Sequence, residues 1–260
     1  MTRTWLIATL LLSSPASAKC ATRWLQAWPA SGSLPENGRI VLSGFGYDEP
    51  FVATLAERRP VLTDGTAEIP LGIVELNVGQ GVTQAVLVPK QPLVSGRRYA
   101  LKADPLQDDP RFALDFFWFV EAPVAGSPKW TAAPQVLSTE HQKMGCGPQV
   151  EAKVEVKLEQ PELVRVLAEL RDVKAGTTAR FLISKTTPEA EVRIGHGMCG
   201  GEFRLAPGVD FELTLWAVDV AGHTTPAPGP ALHFVGPQAG TRQQVAPEST
   251  WDAVKKYFGK

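Results

Sequence analysis

The chain has 260 residues, in which 26 Lys and Arg oppose 27 Asp and Glu for a formal net charge of −1. This balance lacks the basic surplus of nucleic-acid-binding proteins, so we expect no nucleic-acid partner. The 23 glycines and 22 prolines lie between short apolar runs, which indicates many turns and argues against disorder.

Residues 1–18 have the features of a secretory signal peptide. Arg3 supplies a positive charge, Trp5–Leu12 is an apolar core, and the sequence "ASA" before Lys19 matches a cleavage site. A bilayer span needs about 20 apolar residues, so this core is too short to be one. We expect a mature chain with no membrane span, exported to the periplasm or the extracellular space. An uncleaved anchor or a lipoprotein at Cys20 is the alternative, although Lys19 stands where a lipoprotein signal has a small residue.

A first set of predicted strands follows, separated by turns that contain Gly, Pro, Asp or Asn. No stretch holds a long period of 3.6 residues, so crossover helices have no support here. Short, regularly spaced strands are typical of an all-β sandwich or barrel. We therefore predict an Ig-like antiparallel β-sandwich over residues 19–123. Its predicted strands are 39–46, 51–57, 67–76, 83–89, 97–104 and 111–123.

The last of these runs contains Phe116, Phe117, Trp118 and Phe119, which places large aromatic side chains on both faces of one strand. We expect one face to lie in the core of the first sandwich. The other face is expected to pack against a second domain, with a binding surface as the alternative.

A segment rich in proline and small residues, 122–134, is expected to be an interdomain linker or a stiff entry strand to a second set of strands. In "VEAKVEVKLE" (150–159) apolar and charged residues alternate, which is typical of a half-solvated antiparallel strand. We predict a second Ig-like or fibronectin-III-like sandwich over residues 124–237. Its predicted strands are 134–139, 150–159, 164–172, 179–185, 191–196, 210–219 and 231–236.

Residues 238–260 form a predicted tail with a short C-terminal helix. Ser249 or Thr250 is a suitable N-cap, and Trp251, Val254 and Phe258 share one helical face. A helix this short is unstable alone, so we expect it to dock on a domain or a partner.

Two segments of the first domain carry a family resemblance: "PASGSLPENGRIVLSGFG" (29–46) and "VPKQPLVSGRRYALKAD" (88–104). They resemble the Ig-like domains of bacterial secreted proteins, a group that includes periplasmic copper-resistance carrier domains. Leu93, Gly96, Tyr99 and Leu101 fit the pattern of that group, which implies the fold. The copper carriers use several histidines, and residues 19–122 contain none. The resemblance therefore implies no copper chemistry for the first domain.

In the second domain, "FELTLWAVDVAGHTTP" (211–226) resembles a fibronectin-III or Ig-like module, with His223 where Asn is usual. Asp219 and Gly222 in this segment predict a turn in which the aspartate accepts hydrogen bonds from backbone amides. Calcium binding is the alternative, and it requires several more oxygen ligands close together.

Two glycine-rich segments, "EHQKMGCGP" (140–148) and "IGHGMCGGEF" (194–203), hold two of the three cysteines. In an oxidising compartment cysteines are expected to pair, so we predict a Cys146–Cys199 disulfide with Cys20 left over. Loops at the ends of sandwiches are common recognition sites, which makes the flanking glycines candidate binding loops. They are Gly145, Gly147, Gly195, Gly197 and Gly200.

The same segments contain His141, Met144, His196 and Met198. Thioether and imidazole ligands suit copper, so these four residues are an alternative metal site if the two segments converge. Methionine beside a disulfide is also an ordinary filler of apolar gaps, and the primary expectation is no cofactor.

We find no set of nucleophile, base and orienting group in the sequence, so we expect no enzyme. The sequence favours an exported, non-catalytic binding or scaffold protein of the bacterial cell envelope, with an unidentified protein or glycan partner. A periplasmic copper-binding protein is one alternative, and a secreted hydrolase with an unrecognised site is another.

Overall fold

The structure is a computed structural model that describes residues 23–105, 114–145, 147–159, 164–183 and 191–244. Almost all regular structure in these ranges is β-strand, which confirms the all-β prediction. The signal peptide, Cys20, Cys146 and the helix predicted near Trp251 lie outside the described residues. No described helix is long and apolar enough to cross a membrane.

The strands are β1 (Arg23–Trp28), β2 (Gly32–Pro35), β3 (Ile40–Gly46), β4 (Val61–Thr63), β5 (Glu68–Val78), β6 (Val82–Pro89), β7 (Arg98–Lys102), β8 (Phe117–Glu121), β9 (Trp130–Met144), β10 (Gly147–Leu158), β11 (Val164–Asp172), β12 (Thr178–Ile183), β13 (Glu191–His196), β14 (Asp210–Asp219), β15 (Thr224–Pro226), β16 (Leu232–Val235) and β17 (Arg242–Gln244).

The first sandwich is one continuous path of strands in the order β1-β3-β6-β5-β4-β7-β8-β2. Strand β5 joins its two layers, because Glu68–Pro70 pairs with β4 whereas Leu71–Val78 pairs with β6. Side chains from both layers fill the space between them. The largest buried ones are Leu34, Ile40, Leu42, Leu62, Leu87, Tyr99, Leu101 and Trp118.

Residues 51–57 were predicted as a strand, and this prediction is wrong. They belong to helix α1 (Glu49–Ala53) and a 3₁₀ turn (Leu55–Arg58). Phe51, Val52 and Leu55 are fully buried in the core, and their spacing suits one helical face better than one face of a strand. Pro50 lies in the first helical turn, where its fixed φ is compatible with a helix.

The second sandwich packs the sheet β13-β10-β9-β17 against the sheet β12-β11-β14-β15, with β16 also paired to β14. Its β17 comes from the predicted tail. The alternation predicted for β10 is present, because Val150, Ala152, Val154 and Val156 are buried. Facing them from the other sheet are Val166, Ala168, Leu170, Phe181, Ile183, Phe211, Leu213 and Leu215.

The two sandwiches also pack against each other through the outer faces of two sheets. The first contributes Trp28 and Val41, and the second contributes Leu167, Leu182 and Val218. The sheets β1-β3-β6-β5 and β12-β11-β14 are therefore covered on both faces. We define this contact as the junction.

The buried side-chain amide of Gln84 crosses the junction and forms the pair of hydrogen bonds that a neighbouring strand would form with Leu182. Gln84 Nε2 donates to the carbonyl of Leu182 (2.9 Å) and to Ser43 Oγ (3.1 Å). In return, the Leu182 amide donates to Gln84 Oε1 (2.8 Å). The Arg39 amide adds a bond to the carbonyl of Val220 (2.7 Å).

The aromatic strand β8 was expected to contact the second domain, but the junction lies elsewhere. Trp118 is buried in the first core as expected. On the other face, Phe119 is 51% exposed and the Phe117 ring is covered by Arg98 of its own sandwich, at 4.0 Å.

Candidate functional site

The structure brings the two glycine-rich segments together at one end of the second sandwich. His141 of β9 and His196 of β13 both lie directly opposite Val150 of β10. Residues opposite each other in an antiparallel sheet point to the same face, so the two histidines flank Val150. His196 Nδ1 is 3.1 Å from the carbonyl of Gly197. The buried Nδ1 of His141 has no hydrogen-bond partner in the described part of the chain.

The methionines converge in the same region. Gly147 pairs with Met144 across β9 and β10, and its α-carbon faces the backbone of Met198. Cys199 is in a disulfide. Its predicted partner Cys146 lies outside the described residues, so the pairing stays a prediction. Among described residues, no group of three His, Cys, Asp or Glu is placed to hold a metal ion, and the copper site remains untested.

The turn that follows β13 is held by bonds of its own backbone. Gly197 and Gly200 donate to each other's carbonyl, at 3.0 and 3.2 Å. Gly201 exchanges a further pair of bonds with Gln80 of the first sandwich, at 2.8 and 3.0 Å. We call residues 197–201 the docked turn, because it ties the second sandwich to the β5–β6 hairpin of the first.

Two of the candidate glycines are needed for close backbone approach. A Cβ on Gly200 would overlap the carbonyl of Gln80, and its φ of +119° is one that other residues rarely adopt. A Cβ on Gly195 would overlap the carbonyl of Val150. Gly145, by contrast, has open space around it.

The turn predicted around Asp219 is present. Asp219 Oδ1 accepts hydrogen bonds from the amides of Ala221 (3.0 Å) and His223 (2.8 Å). Its Oδ2 lies 2.8 Å from His223 Nδ1. The carboxylate is thus occupied by its own turn, as predicted for an aspartate that binds backbone amides.

A cleft of about 620 Å³ lies between the sandwiches, beside this turn. A volume between about 300 and 1,000 Å³ is usual for a small-ligand site. We call it the elbow cleft. Its walls are the ends of β1, β2 and β10, the linker between β8 and β9, and the adjacent ends of β11 and β14. They include Trp28, Pro29, Pro35, Glu121, Val124, Pro128, Lys129, Glu159, Val164, Arg165, Asp219 and Val220.

Arg165 is the unusual residue of the elbow cleft. It lies opposite Val218 on the outer face of its sheet, with its guanidinium carbon 5.9 Å from the centre of the Trp28 ring. Its Nη1 donates to the carbonyl of Val164 (3.2 Å), and it forms no ion pair with the described residues. Burial lowers the pKa of the Arg165 guanidinium, because loss of water disfavours the charged form.

The Nε atom of Arg165 is buried and has no partner in the described residues. Oε1 of Gln26 is likewise buried and without a partner in the described residues. Both residues line a void of about 10 Å³, roughly the size that accepts one water molecule. The Nε therefore faces a solvent-sized space, which leaves the two Nη nitrogens of the guanidinium to bind a ligand.

The other charged groups around the cleft have partners or face water. Lys129 pairs with Glu159 at 3.3 Å, and Asp219 is held by its turn. Glu121 is exposed. Arg165 is thus the one half-buried cation of the described lining that lacks a carboxylate partner.

Sequence reasoning missed this site. In "VRVLAEL" (164–170) Arg165 occupies an outward position in a strand, and an arginine there normally extends into water. The available signal was Leu167 on the same face. An apolar residue there indicates that this face is also covered.

Comparisons with known proteins add little about activity. The chain matches no protein-family model and no curated protein at a significant level. Among solved structures it is similar to type I pullulanase from Bacillus subtilis str. 168 complexed with maltose, with 10% identity and a TM-score of 0.26 over 79% of this chain and 24% of that one. A pullulanase from Anoxybacillus sp. LM18-11 complexed with maltotriose gives 11% identity and a TM-score of 0.24, over 78% of this chain and 25% of that one.

Tandem Ig repeats of Dlar are also similar, at 8% identity and a TM-score of 0.23, over 84% of this chain and all of that one. This chain spans about a quarter of the length of the pullulanases it matches. Similarities this low transfer neither activity nor ligand to this chain.

Proposed function

We propose that the chain is an exported, non-catalytic binding protein of the bacterial cell envelope, built from two Ig-like sandwiches, and that the elbow cleft is its binding site. The observation that carries this proposal is Arg165, a half-buried cation beside Trp28 with no carboxylate partner among the described residues. A buried charge is costly unless a partner compensates it, and a bound anion supplies that partner.

The ligand we propose is a short peptide segment of a partner protein that carries a carboxylate. Its carboxylate would pair with the Arg165 guanidinium. Apolar atoms next to it would pack on Trp28, Pro35, Val124 and Val220, which line the same cleft. The lining combines apolar side chains with charged ones, which suits a peptide segment that carries both an apolar part and a carboxylate.

The test uses two pools of capped peptides that are identical except that Asp in one pool is replaced by Asn in the other. Saturation-transfer NMR with the mature protein is expected to detect binding from the Asp pool. We expect affinity for the Asn pool to be lower by roughly tenfold or more, because a charged hydrogen-bonded pair contributes about 1.5–3 kcal/mol. Arg165→Gln should abolish the difference between the pools.

Arg171→Gln is the matched control, since Arg171 lies on the same strand but not in the cleft, and its nearest carboxylate, of Glu212, is 4.0 Å away. This variant should bind like the wild type. Equal binding of the two pools, or unchanged binding by Arg165→Gln, would refute the peptide proposal. A third pool of acidic oligosaccharides separates the ligand classes: binding of that pool alone, dependent on Arg165, would keep the site and replace the peptide with a glycan.

A further inference from the structure

One strand of the first sandwich has an open edge with exposed apolar side chains. From Leu71 to Val78, β5 pairs with β6 and with no other described strand. Val74, Leu76 and Val78 are 60, 45 and 65% exposed. Natural proteins usually protect an open edge with lysine, proline or an inward-pointing charge. Glu75 is the one charged side chain of this segment, and Arg180 already neutralises it at 3.5 Å.

We propose that this edge pairs with the same edge of a second copy of the chain, antiparallel and centred on Leu76. Opposite residues in an antiparallel pair face the same side, so a symmetric pair must be centred on one residue. Centring on Leu76 places Leu76 opposite itself, Val74 opposite Val78, and Glu75 opposite Asn77.

The neighbouring symmetric registers are worse. Centring on Glu75 places two carboxylates directly opposite each other, which is destabilising. Centring on Asn77 moves the pairing towards Gly79 and leaves Val74 beyond the paired segment. Within one copy, the Asn77 side chain donates a hydrogen bond to Glu75 Oε1 at 3.0 Å. In the Leu76 register, Asn77 also lies opposite Glu75 of the second copy. The strand is therefore self-complementary in side-chain hydrogen bonding and in apolar contact.

The proposed dimer would be a reversible one. A pair of short strands buries less than the roughly 1,600 Å² of a standard protein interface. We therefore expect the population of dimer to depend on protein concentration. A bulge between Ile73 and Glu75 limits the regular pairing to the segment that follows it.

Sedimentation velocity of the mature protein over a concentration range tests the proposal. The wild type should approach twice the monomer mass at the highest concentration. Leu76→Lys should raise the dissociation constant by tenfold or more, because it places two ammonium groups opposite each other in the pair. The matched control is Leu137→Lys on β9, where the leucine is 40% exposed and outside β5. This control should dimerise like the wild type.

A cysteine at the axis gives a second readout that does not depend on a disruptive charge. In the proposed register the two copies of residue 76 are near neighbours, within the range in which a disulfide can form. Leu76→Cys should form a covalent dimer on a non-reducing gel, and Leu137→Cys should not exceed the wild type. A wild type that is monomeric at all concentrations, or loss of dimer in both lysine variants, would overturn the proposal. So would an absence of cross-linking in Leu76→Cys.

Discussion

The docked turn has an unusual sequence but a structural role, whereas the elbow cleft has an ordinary sequence and the properties of a binding site. The docked turn lies in the most conspicuous stretch of the sequence, with glycines, a histidine, a methionine and a cysteine together. Its backbone groups are nevertheless bonded to one another and to Gln80. The elbow cleft is lined by ordinary residues, yet it holds Arg165 without a carboxylate partner in the described chain. A half-buried charge without an ionic partner is a better guide to a binding site than an unusual local composition.

Both regions depend on the junction, so the largest expected effect is at Gln84. Gln84→Leu removes the partners of the Leu182 amide and carbonyl at a buried position. A buried group left without a partner costs about 1–3 kcal/mol, so we expect a loss of roughly 2–4 kcal/mol in the free energy of unfolding, measured by urea titration. Gln142→Leu, at an exposed position of β9, should change it by less than about 0.5 kcal/mol. Equal effects of the two variants would show that the bonds of Gln84 contribute nothing.

The second-largest effect, at Gly200, tests whether the docked turn is a structural element or an open recognition loop. Gly200→Ala forces a φ that alanine rarely adopts and places a Cβ against the carbonyl of Gln80. We expect a loss of about 1–3 kcal/mol in the same titration. Gly145→Ala has open space around its new Cβ and should be close to neutral. If Gly200→Ala were neutral and instead impaired partner binding, the docked turn would be the recognition surface after all.

The fold was largely predictable because strands that are solvated on one face alternate visibly. Strand β10 was predicted from that alternation, and β13 and β14 match the predicted bounds exactly at 191–196 and 210–219. The helix at 49–58 was missed because Phe51, Val52 and Leu55 form a run too short for a helical period to show. Strand β1 (RWLQAW) was missed because its apolar and polar residues do not alternate, and β2 (GSLP) because it is short and begins and ends with turn residues.

The site was less predictable, because it arises where two sandwiches meet. Trp28 and Arg165 are 137 positions apart in the sequence and come together only through the packing of two sheets. No local spacing encodes that contact. The convergence of the two glycine-rich segments was foreseen from a predicted disulfide, and the register of β9, β10 and β13 brings them together without using the disulfide as evidence.

A smaller effect, with the opposite sign, is expected at Arg165. Because burial lowers the pKa of this guanidinium, the charged form that exists at neutral pH is less favourable in the folded protein than in water. Arg165→Met keeps apolar contact with Trp28 and removes the charge. We expect the free energy of unfolding to stay the same or rise by at most about 1 kcal/mol, since solvent still screens part of the group.

The control for this variant is Arg180→Met, because Arg180 has both a carboxylate partner, Glu75, and an aromatic one, Trp216 at 5.4 Å. Losing these contacts should destabilise the protein by about 0.5 kcal/mol. A clear loss of stability in Arg165→Met, together with normal peptide binding, would make Arg165 a structural residue. The opposite pair of results, stability retained and binding lost, is the result expected of a binding residue.

The smallest expected effect is at the histidine end of the second sandwich, where the copper alternative is tested. Anaerobic titration with Cu(I) should give the same affinity for the wild type and for the double variant His196→Ala, Met198→Ala. The reason is geometric: His196 Nδ1 is directed to the carbonyl of Gly197, and Met198 is 46% exposed on the docked turn. Tight binding of one Cu(I) by the wild type, lost in the double variant, would instead make His196 and Met198 ligands, with the unpartnered Nδ1 of His141 as the next candidate to test. In that case the two glycine-rich segments form a soft-metal site, and the protein has a binding site at each end of its junction.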